Sequence, residues 1–442
     1  TLDVENTVTK RDGKMHLDPF EPDNTLVMVG MLTDQGQCLT FPFDHADRPN
    51  QDDYYERVQM MLDEATVLIC HNAAHDLLWL WESGFKYDGP VFDTMLAEYV
   101  LQRGIKEPLS LEACAERYEL DTKKQDTLKE YFAKGYSTRD IPYNELTEYL
   151  IADLEATQQL ADKLMHRLNT PADSGLMSTV DLTNQVAVCL TKIYQRGFTV
   201  DRKALRDVYN EFEYEKITLE RDLKEHVYKL MGDTPINLNS PEQLGWVVYG
   251  RKVINKQEWG EKMDPFMDAS DFYQMVQNGT ERIFKTRAEK CGTCKGKGHV
   301  YKVRKDGSNY SKPHKCKECD SLGYIFKPTS KFAGLRFKPP SAKWLSANGF
   351  TTSKGNLETL EGVARSKGMD DAVDFLSKVR RLSAVETYLS SFVEGIRIHT
   401  KEDGKLHVRL LQHRTSTGRF SGADPNMQNM PRGGTFPVKK VF

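Results

Sequence analysis

Asp3 and Glu5 stand two apart in Leu2-Asp3-Val4-Glu5, and Tyr149 and Asp153 stand four apart in Tyr149-Leu-Ile-Ala-Asp153. Side chains alternate faces along a strand, so the first pair would project to one side. Residues four apart lie one turn up the same helix face, so the second pair would too. Between them, His71-Asn72-Ala-Ala-His75-Asp76 follows the apolar run Val67-Leu-Ile-Cys70. Carboxylates are hard oxygen ligands. Asp3, Glu5, Asp76 and Asp153 with a nearby phenol therefore make a site for two divalent ions, magnesium by nature with manganese as a substitute. Such a pair suits phosphodiester hydrolysis by an activated water. Singly, Asp-x-Glu or Tyr-x-x-x-Asp usually marks solvated surface; the order and spacing carry the signal. His71 and His75 flank Asp76, but a histidine there is more often a satisfied core or rim residue than a ligand.

Two further groups have chemistry written in their spacing. Cys291-Gly-Thr-Cys294-Lys-Gly-Lys-Gly298 and Cys316-Lys-Glu-Cys319-Asp-Ser-Leu-Gly323 are paired Cys-x-x-Cys knuckles with twenty-one residues between them. Each knuckle lets two thiolates share one tetrahedral ion, and the glycines allow the tight turn around it. A closed zinc site without a catalytic role is expected, in preference to a redox dithiol or four unrelated core thiols. From Lys285 to Lys317 eleven Lys or Arg face only Glu289 and Asp306. Zinc either staples an insert too small for a core or shapes a basic surface that grips phosphates. Near the C-terminus, Arg414-Thr-Ser-Thr-Gly-Arg419-Phe-Ser-Gly-Ala-Asp-Pro-Asn426-Met-Gln428-Asn429-Met-Pro431 is dense in amides, hydroxyls and guanidinium among Gly and Pro, which suits a surface holding a duplex.

That last string resembles the "TGRxSxxxPNxQNxP" segment of family A DNA polymerases, the family of bacterial DNA polymerase I and several phage replicative enzymes. Gln195-Arg-Gly-Phe-Thr-Val-Asp201, Ile236-Asn-Leu-Asn-Ser-Pro-Glu-Gln-Leu244, Thr351-Thr-Ser-Lys-Gly-Asn-Leu-Glu-Thr-Leu360 and the stretch from Leu376 to Tyr388 resemble thumb segments of the same family. The N-terminal acids, with Phe92-Asp93-Thr-Met-Leu-Ala-Glu-Tyr-Val and Leu109-Ser-Leu-Glu between them, resemble the tyrosine subtype of DEDD 3′–5′ exonucleases. By that resemblance Asp3, Glu5 and Asp153 would hold the first ion and Asp76 the second, largely through water. Asp3 would help bridge the two, and the Tyr149 phenol would orient the attacking water. Asp93 is kept outside the ligand set. Thr417 and Ser421 would touch the nucleic-acid backbone. Arg419 would reach the minor groove at the primer terminus, where acceptors are shared by all correct pairs, and Asn426, Gln428 and Asn429 would contact template and primer beside it.

The resemblance implies an α/β ribonuclease H-like exonuclease domain (a mixed sheet with helices), a mainly α-helical thumb with a zinc-ribbon-like insertion, and the start of an α+β palm. The expected order is exonuclease at 1–168, linker and leading helix at 169–198, first thumb part at 199–250, inserted four-cysteine module at 251–340, second thumb part at 341–395 and palm start with the primer-template motif at 396–442. The implied activity is proofreading: removal of 3′-terminal nucleotides as 5′-monophosphates from a single-stranded 3′ end, with a DNA primer-template as partner and any processivity factor unidentified. The chain starts at Thr1 without Met or leader and stops at Phe442 before the family's next motif, so it is expected to be a piece cut at both ends that does not polymerise alone. A stand-alone DEDD exonuclease on DNA or RNA and a catalytically idle, zinc-stapled primer-template clamp are the alternatives.

The elements that must position these groups are legible in the apolar pattern. Leu26 to Leu32 and Val67 to Cys70 read as buried strands, and Leu109 to Leu120, Asn144 to Leu168, Leu182 to Gln195 and Arg202 to Met231 as helices. Asn169 to Gly175 reads as a linker. From Gly250 to about Pro340 the texture turns to Lys, Gly and Cys. Helical patterning resumes from Asn356 to Lys367 and from Asp370 to Glu394, and Lys405 to Leu411 reads as a strand. With 442 residues, 39% hydrophobic and 28% charged, two to four domains are expected. No apolar run approaches the ~20 residues that span a bilayer, so a cytoplasmic setting, bacterial or virus-infected, without membrane partners is expected. A net charge of −3 leaves local basic stretches, not global charge, to attract nucleic acid. Cys38, Cys70, Cys114 and Cys189 read as reduced core residues.

Overall fold

The computed structural model describes residues 1–11, 14–48, 51, 53–120, 125–303, 309–431, 434 and 436–442. Arg304, Lys305 and Asp306, part of the charge pattern above, lie outside the described residues. The chain divides into two units, Thr1–Arg206 with Phe392–Phe442, and Asp207–Ser391.

In the first unit β1 (Leu2–Asn6), β2 (Leu26–Leu32) and β3 (Cys38–Pro42) form an antiparallel sheet in that order, with β1 at an edge. Strands Thr9–Arg11 and Lys14–His16, which no apolar pattern announces, pair antiparallel after β1. The chain continues through α1 (Tyr54–Glu64), β4 (Leu68–Cys70), α2 (Ala73–Glu82), β5 (Val91–Asp93) and α3 (Thr94–Leu101). Strands β4 and β5 pair in parallel, as a strand-helix-strand crossover requires. Two long helices follow, α4 (Tyr143–Leu168) and α5 (Met177–Arg196).

Burial along β1 alternates, with Leu2, Val4 and Asn6 buried and Asp3 and Glu5 half-buried. Leu2 and Val4 join a core with Val58 and Leu62 of α1 and Leu77 and Leu80 of α2. On the acid face, Met28, level with Glu5, packs with Leu146, Leu150 and Leu154, the apolar stripe of α4. Gly30, directly opposite Asp3, permits this approach. A Cβ there would sit 2.8 Å from Cγ of Leu150 and 2.9 Å from Cδ1 of Leu154.

The second unit is mainly helical. Most of α6 (Arg202–Met231) packs with α7 (Pro241–Tyr249) and with two helices of the returning chain, Lys354–Ser366 and Asp370–Thr387, around Leu223, Val248, Leu360 and Phe375. The stretch with little apolar periodicity holds helices Lys256–Lys262 and Ala269–Gly279, and Trp259 is buried with its Nε1 donating to the Ser346 carbonyl at 2.7 Å. It then forms two ribbons: β6 (Phe284–Lys290) pairs with β9 (Tyr324–Phe332), and between them β7 (His299–Val303) pairs with β8 (Asn309–Lys315). Back in the first unit, β10 (Arg409–Leu411) pairs with β11 (Ser421–Ala423).

No helix among the described residues is long and apolar enough to cross a membrane. Cys70 and Cys114 are core residues as expected, but Cys38 is only half-buried and Cys189 is exposed, because it lies off the α5 face that buries Val180, Asn184, Ala187 and Thr191.

Candidate active site and metal centre

Strand β1, helix α2 and helix α4 carry the acids to one place. Asp3 and Glu5 leave the same face of β1, and Tyr149 and Asp153 occupy the face of α4 that lies over it. Asp76, in the first turn of α2, is 2% exposed. Burial raises the pKa of Asp3 to about 7, with the Asp153 charge adding to it. Glu5 is pushed well up by burial and then by Asp3 and Asp153. Asp76 is likewise pushed well up by burial, then by Asp3 and Asp93, with the Cys70 thiol and the Val4 amide opposing the rise. Burial lifts Asp153 to about 6 against the hydrogen bond from Tyr149. Each carboxylate feels at least one other, so the four form one electrostatic cluster.

Such a cluster is unstable as four anions and calls for positive charge. Oδ2 of Asp76 is buried without a hydrogen-bond partner among the described residues, and an oxygen so placed suits a cation. Divalent cations fit this donor set. The acids are not one tight knot: among the described residues, the donor groups whose atoms all lie within 4.8 Å of one another are the four cysteines and His16, Asp18 and Glu21. Oxygens that share one ion at about 2.1 Å lie within about 4.2 Å of one another, so any three of these acids that hold one ion draw closer together on binding it. The His16 group already has its cation, since Nζ of Lys401 lies 2.6 Å from Glu21 and 3.1 Å from Asp18.

The surrounding residues frame the acids. Asp93 accepts the amides of Asn72 (3.1 Å) and Ala73 (2.9 Å) at the start of α2 and of Met95 (2.9 Å) and Leu96 (3.2 Å) at the start of α3. It thus caps two helices at once and fixes the turn from which Asp76 projects. Asn72, in the left-handed region at φ 75°, makes that turn. His71 bonds Thr94 Oγ1 at 2.8 Å and the Leu109 carbonyl at 2.9 Å, and His75 bonds Asn6 Oδ1 at 2.9 Å. Burial drives both imidazoles down to about 4, so both are neutral supports. A cavity of about 390 Å³ in the same unit is bordered by His75, Tyr194, Lys401, Arg409 and Gln412 and by none of the four acids.

The cysteines form a second centre, in the other unit. Sγ of Cys291 lies 3.8 Å from that of Cys316, and Cys294 lies 3.6 Å from Cys319. A tetrahedron with zinc–sulfur bonds of about 2.3 Å has edges of about 3.8 Å, whereas a disulfide would be about 2.05 Å. The knuckles mirror each other. Gly298 N–H donates to Cys294 Sγ and Gly323 N–H to Cys319 Sγ, both at 3.2 Å, and the amides of Cys291 and Cys316 donate across to the carbonyls of Gly323 and Gly298 at 2.9 and 3.0 Å. Both glycines have positive φ, and a Cβ on either would fall within 2.5 Å of a carbonyl oxygen.

In the C-terminal segment Thr417, Arg419, Asn426, Gln428 and Asn429 are exposed and Ser421, at the start of β11, is half-buried. Two of the amides also build the loop: Gln428 Oε1 accepts from Gly422 N–H at 2.9 Å and Asn426 Oδ1 from Gln428 N–H at 3.1 Å. Their NH₂ groups donate to no partner among the described residues. Arg419 makes no side-chain ion pair among the described residues, and its carbonyl is held by the Thr415 hydroxyl at 2.7 Å.

Residues 15–169 match the family described as 3′–5′ exonuclease, a span that includes Asp76, Tyr149 and Asp153 and begins after Asp3 and Glu5. The chain is 30% identical to DNA polymerase I of Chloroflexus aurantiacus over 197 residues, 43% of this chain and 19% of that protein. It is 23% identical to DNA polymerase I of Bacillus subtilis over 353 residues, 79% of this chain and 28% of that one, and 26% identical to that of Synechocystis over 365 residues, 82% and 27%. It thus spans well under a third of these relatives. Among solved structures, the POL domain of Pol1 from M. smegmatis, in complex with DNA primer-template and dNTP, shares the fold with a TM-score of 0.53 and 17% identity, over 95% of this chain and 52% of that one.

Proposed function

We propose that this chain, which belongs to the family A DNA polymerases and carries their 3′–5′ exonuclease domain, trims mismatched 3′ ends of DNA as 5′-monophosphates and holds the primer-template from which they come. The buried cluster of four mutually repelling carboxylates carries this reading. Similarity to relatives running far beyond residue 169 favours a polymerase portion over a stand-alone nuclease.

Asp3, Glu5 and Asp153 would hold one magnesium-type cation and Asp76 with Asp3 a second. Bound there, the ions supply an acidified water and counter-charge for the departing 3′ oxygen. Burial and the charges of Asp153 and Glu5 keep the Tyr149 phenol protonated far above neutral pH, so Tyr149 orients water by hydrogen bonding and does not serve as base. Gly30 sets the spacing by letting α4 lie close over β1. Arg419 with Thr417, Ser421, Asn426, Gln428 and Asn429 would hold primer and template, and Cys291, Cys294, Cys316 and Cys319 one structural zinc ion. A cytoplasmic setting accords with this role.

Asp76→Ala and Asp153→Ala should each abolish magnesium-dependent release of mononucleotides from a labelled single strand while retaining DNA binding. Hydrolysis surviving in both variants would reject the assignment.

A further inference from the structure

We propose that the four-cysteine module is a zinc-assembled grip for the phosphate backbone of duplex DNA, an inference that rests on the polymerase reading above. Six lysines surround the knuckles: Lys295 and Lys297 in the first, Lys317 in the second, and Lys302, Lys312 and Lys315 on the β7–β8 hairpin. All six are exposed, and none is ion-paired among the described residues. Some lysines elsewhere in the same unit find acids, as Lys262 does with Glu258 and Lys378 with Asp374 at 2.9 Å. Within the module Glu289 is engaged by Lys327 at 2.6 Å and Glu318 by the Thr293 hydroxyl, and Asp320 is a third exposed acid, so the six lysines outnumber the acids beside them. Uncompensated lysine charge costs folding free energy through self-repulsion, and a polyanion relieves it. The module also exposes Tyr301, Leu322 and Tyr324, but its surplus of lysine charge suits phosphates better than a protein interface, whose core is depleted in lysine.

The module can hold those charges in fixed positions. Among the described residues only Val300 and Ile325 pack on the thiols, too little to make a core, so the ion must supply the rigidity. Its root is tied to the end of α6. Asp233 N–H donates to the Thr286 carbonyl at 3.1 Å, and Asp233 Oδ2 accepts from Ala288 N–H at 2.8 Å. Gly232, at φ +76°, lies so close that a Cβ would sit 2.2 Å from the Thr286 oxygen.

The test uses the zinc-loaded chain and a labelled blunt duplex, titrated across salt concentration without added magnesium. Replacing Lys295, Lys297, Lys315 and Lys317 together by Gln should lower the slope of log affinity against log salt by about 3–4 and weaken binding at low salt by at least about tenfold. One zinc per chain and an unchanged circular dichroism spectrum should persist. Cys316→Ser should lose the zinc and reproduce the slope change. An unchanged slope in the zinc-retaining lysine variant overturns the proposal, as does polyglutamate binding as tightly as the duplex, which would point to an acidic protein. Wild-type protein that fails to trim DNA yet shows this lysine-dependent slope removes the exonuclease reading and leaves the grip standing.

Discussion

Replacing Asp153 by Asn should make the protein more heat-stable in the absence of magnesium and nearly insensitive to its addition. Burial raises the Asp153 pKa from 3.8 to about 6. At about 1.36 kcal/mol per unit, holding it ionised at neutral pH costs on the order of 3 kcal/mol, reduced to about 2 by its contact with solvent. For an unfolding unit of this size that corresponds to about 4–8 °C. The amide oxygen of Asn can still accept from Tyr149, and Asp3, held up by burial and by the Asp153 charge, would ionise more easily in the variant. The sign fixes the pH window. A carboxyl whose folded pKa is raised contributes stability that is full below its unfolded value, near 4, and lost as pH rises through about 6. The variant's advantage should therefore be small at about pH 4 and fully developed above about pH 7. Differential scanning calorimetry at both pH values, with and without millimolar magnesium, measures it. If the variant melts at or below wild type at neutral pH without magnesium, or gains as much from magnesium as wild type does, the charge-repulsion account of this site is wrong.

Gly30→Val should separate α4 from β1 and misplace Tyr149 and Asp153 relative to Asp3. Magnesium-dependent trimming should fall by at least about a hundredfold, as ångström-scale misplacement typically does, while duplex binding stays within about twofold; near-normal trimming would show that the helix accommodates the side chain. Arg419→Ala should weaken primer-template binding by about 1–3 kcal/mol, read by fluorescence anisotropy, and shift the balance toward the nuclease. Equal affinity would remove Arg419 from the contact set.

How much of this was legible in the sequence depended on whether a residue's role is local. Two-residue alternation in β1 and four-residue spacing in α4 are backbone periodicities, so the shared faces of Asp3 with Glu5 and of Tyr149 with Asp153 follow from composition of the segment alone. The same holds for Leu26–Leu32 and Arg202–Met231, which the structure reproduces, and for the helix read from Leu182 to Gln195, which in the structure starts earlier and spans Met177–Arg196; Gly197 and Gly232 stand at positive φ where the last two helices end. Asp93 was less legible: its place beside the acids invites a ligand role, yet its four amide partners come from two helix starts, at Ala73 and Thr94, that are distant in the chain and meet only in the fold. Gly30 left a fainter mark, a lone glycine inside an apolar strand, which signals close approach without naming the helix that approaches. The helices around Trp259 and the hairpin at Thr9–His16 were illegible because short elements carry too few apolar positions to establish a period, and tertiary packing, such as the Trp259 bond to Ser346, decides them. Two scales of cause are therefore at work. Periodic elements deliver each pair of acids to a face, and long-range contacts at Gly30 and Asp93 determine whether those faces meet closely enough to share cations.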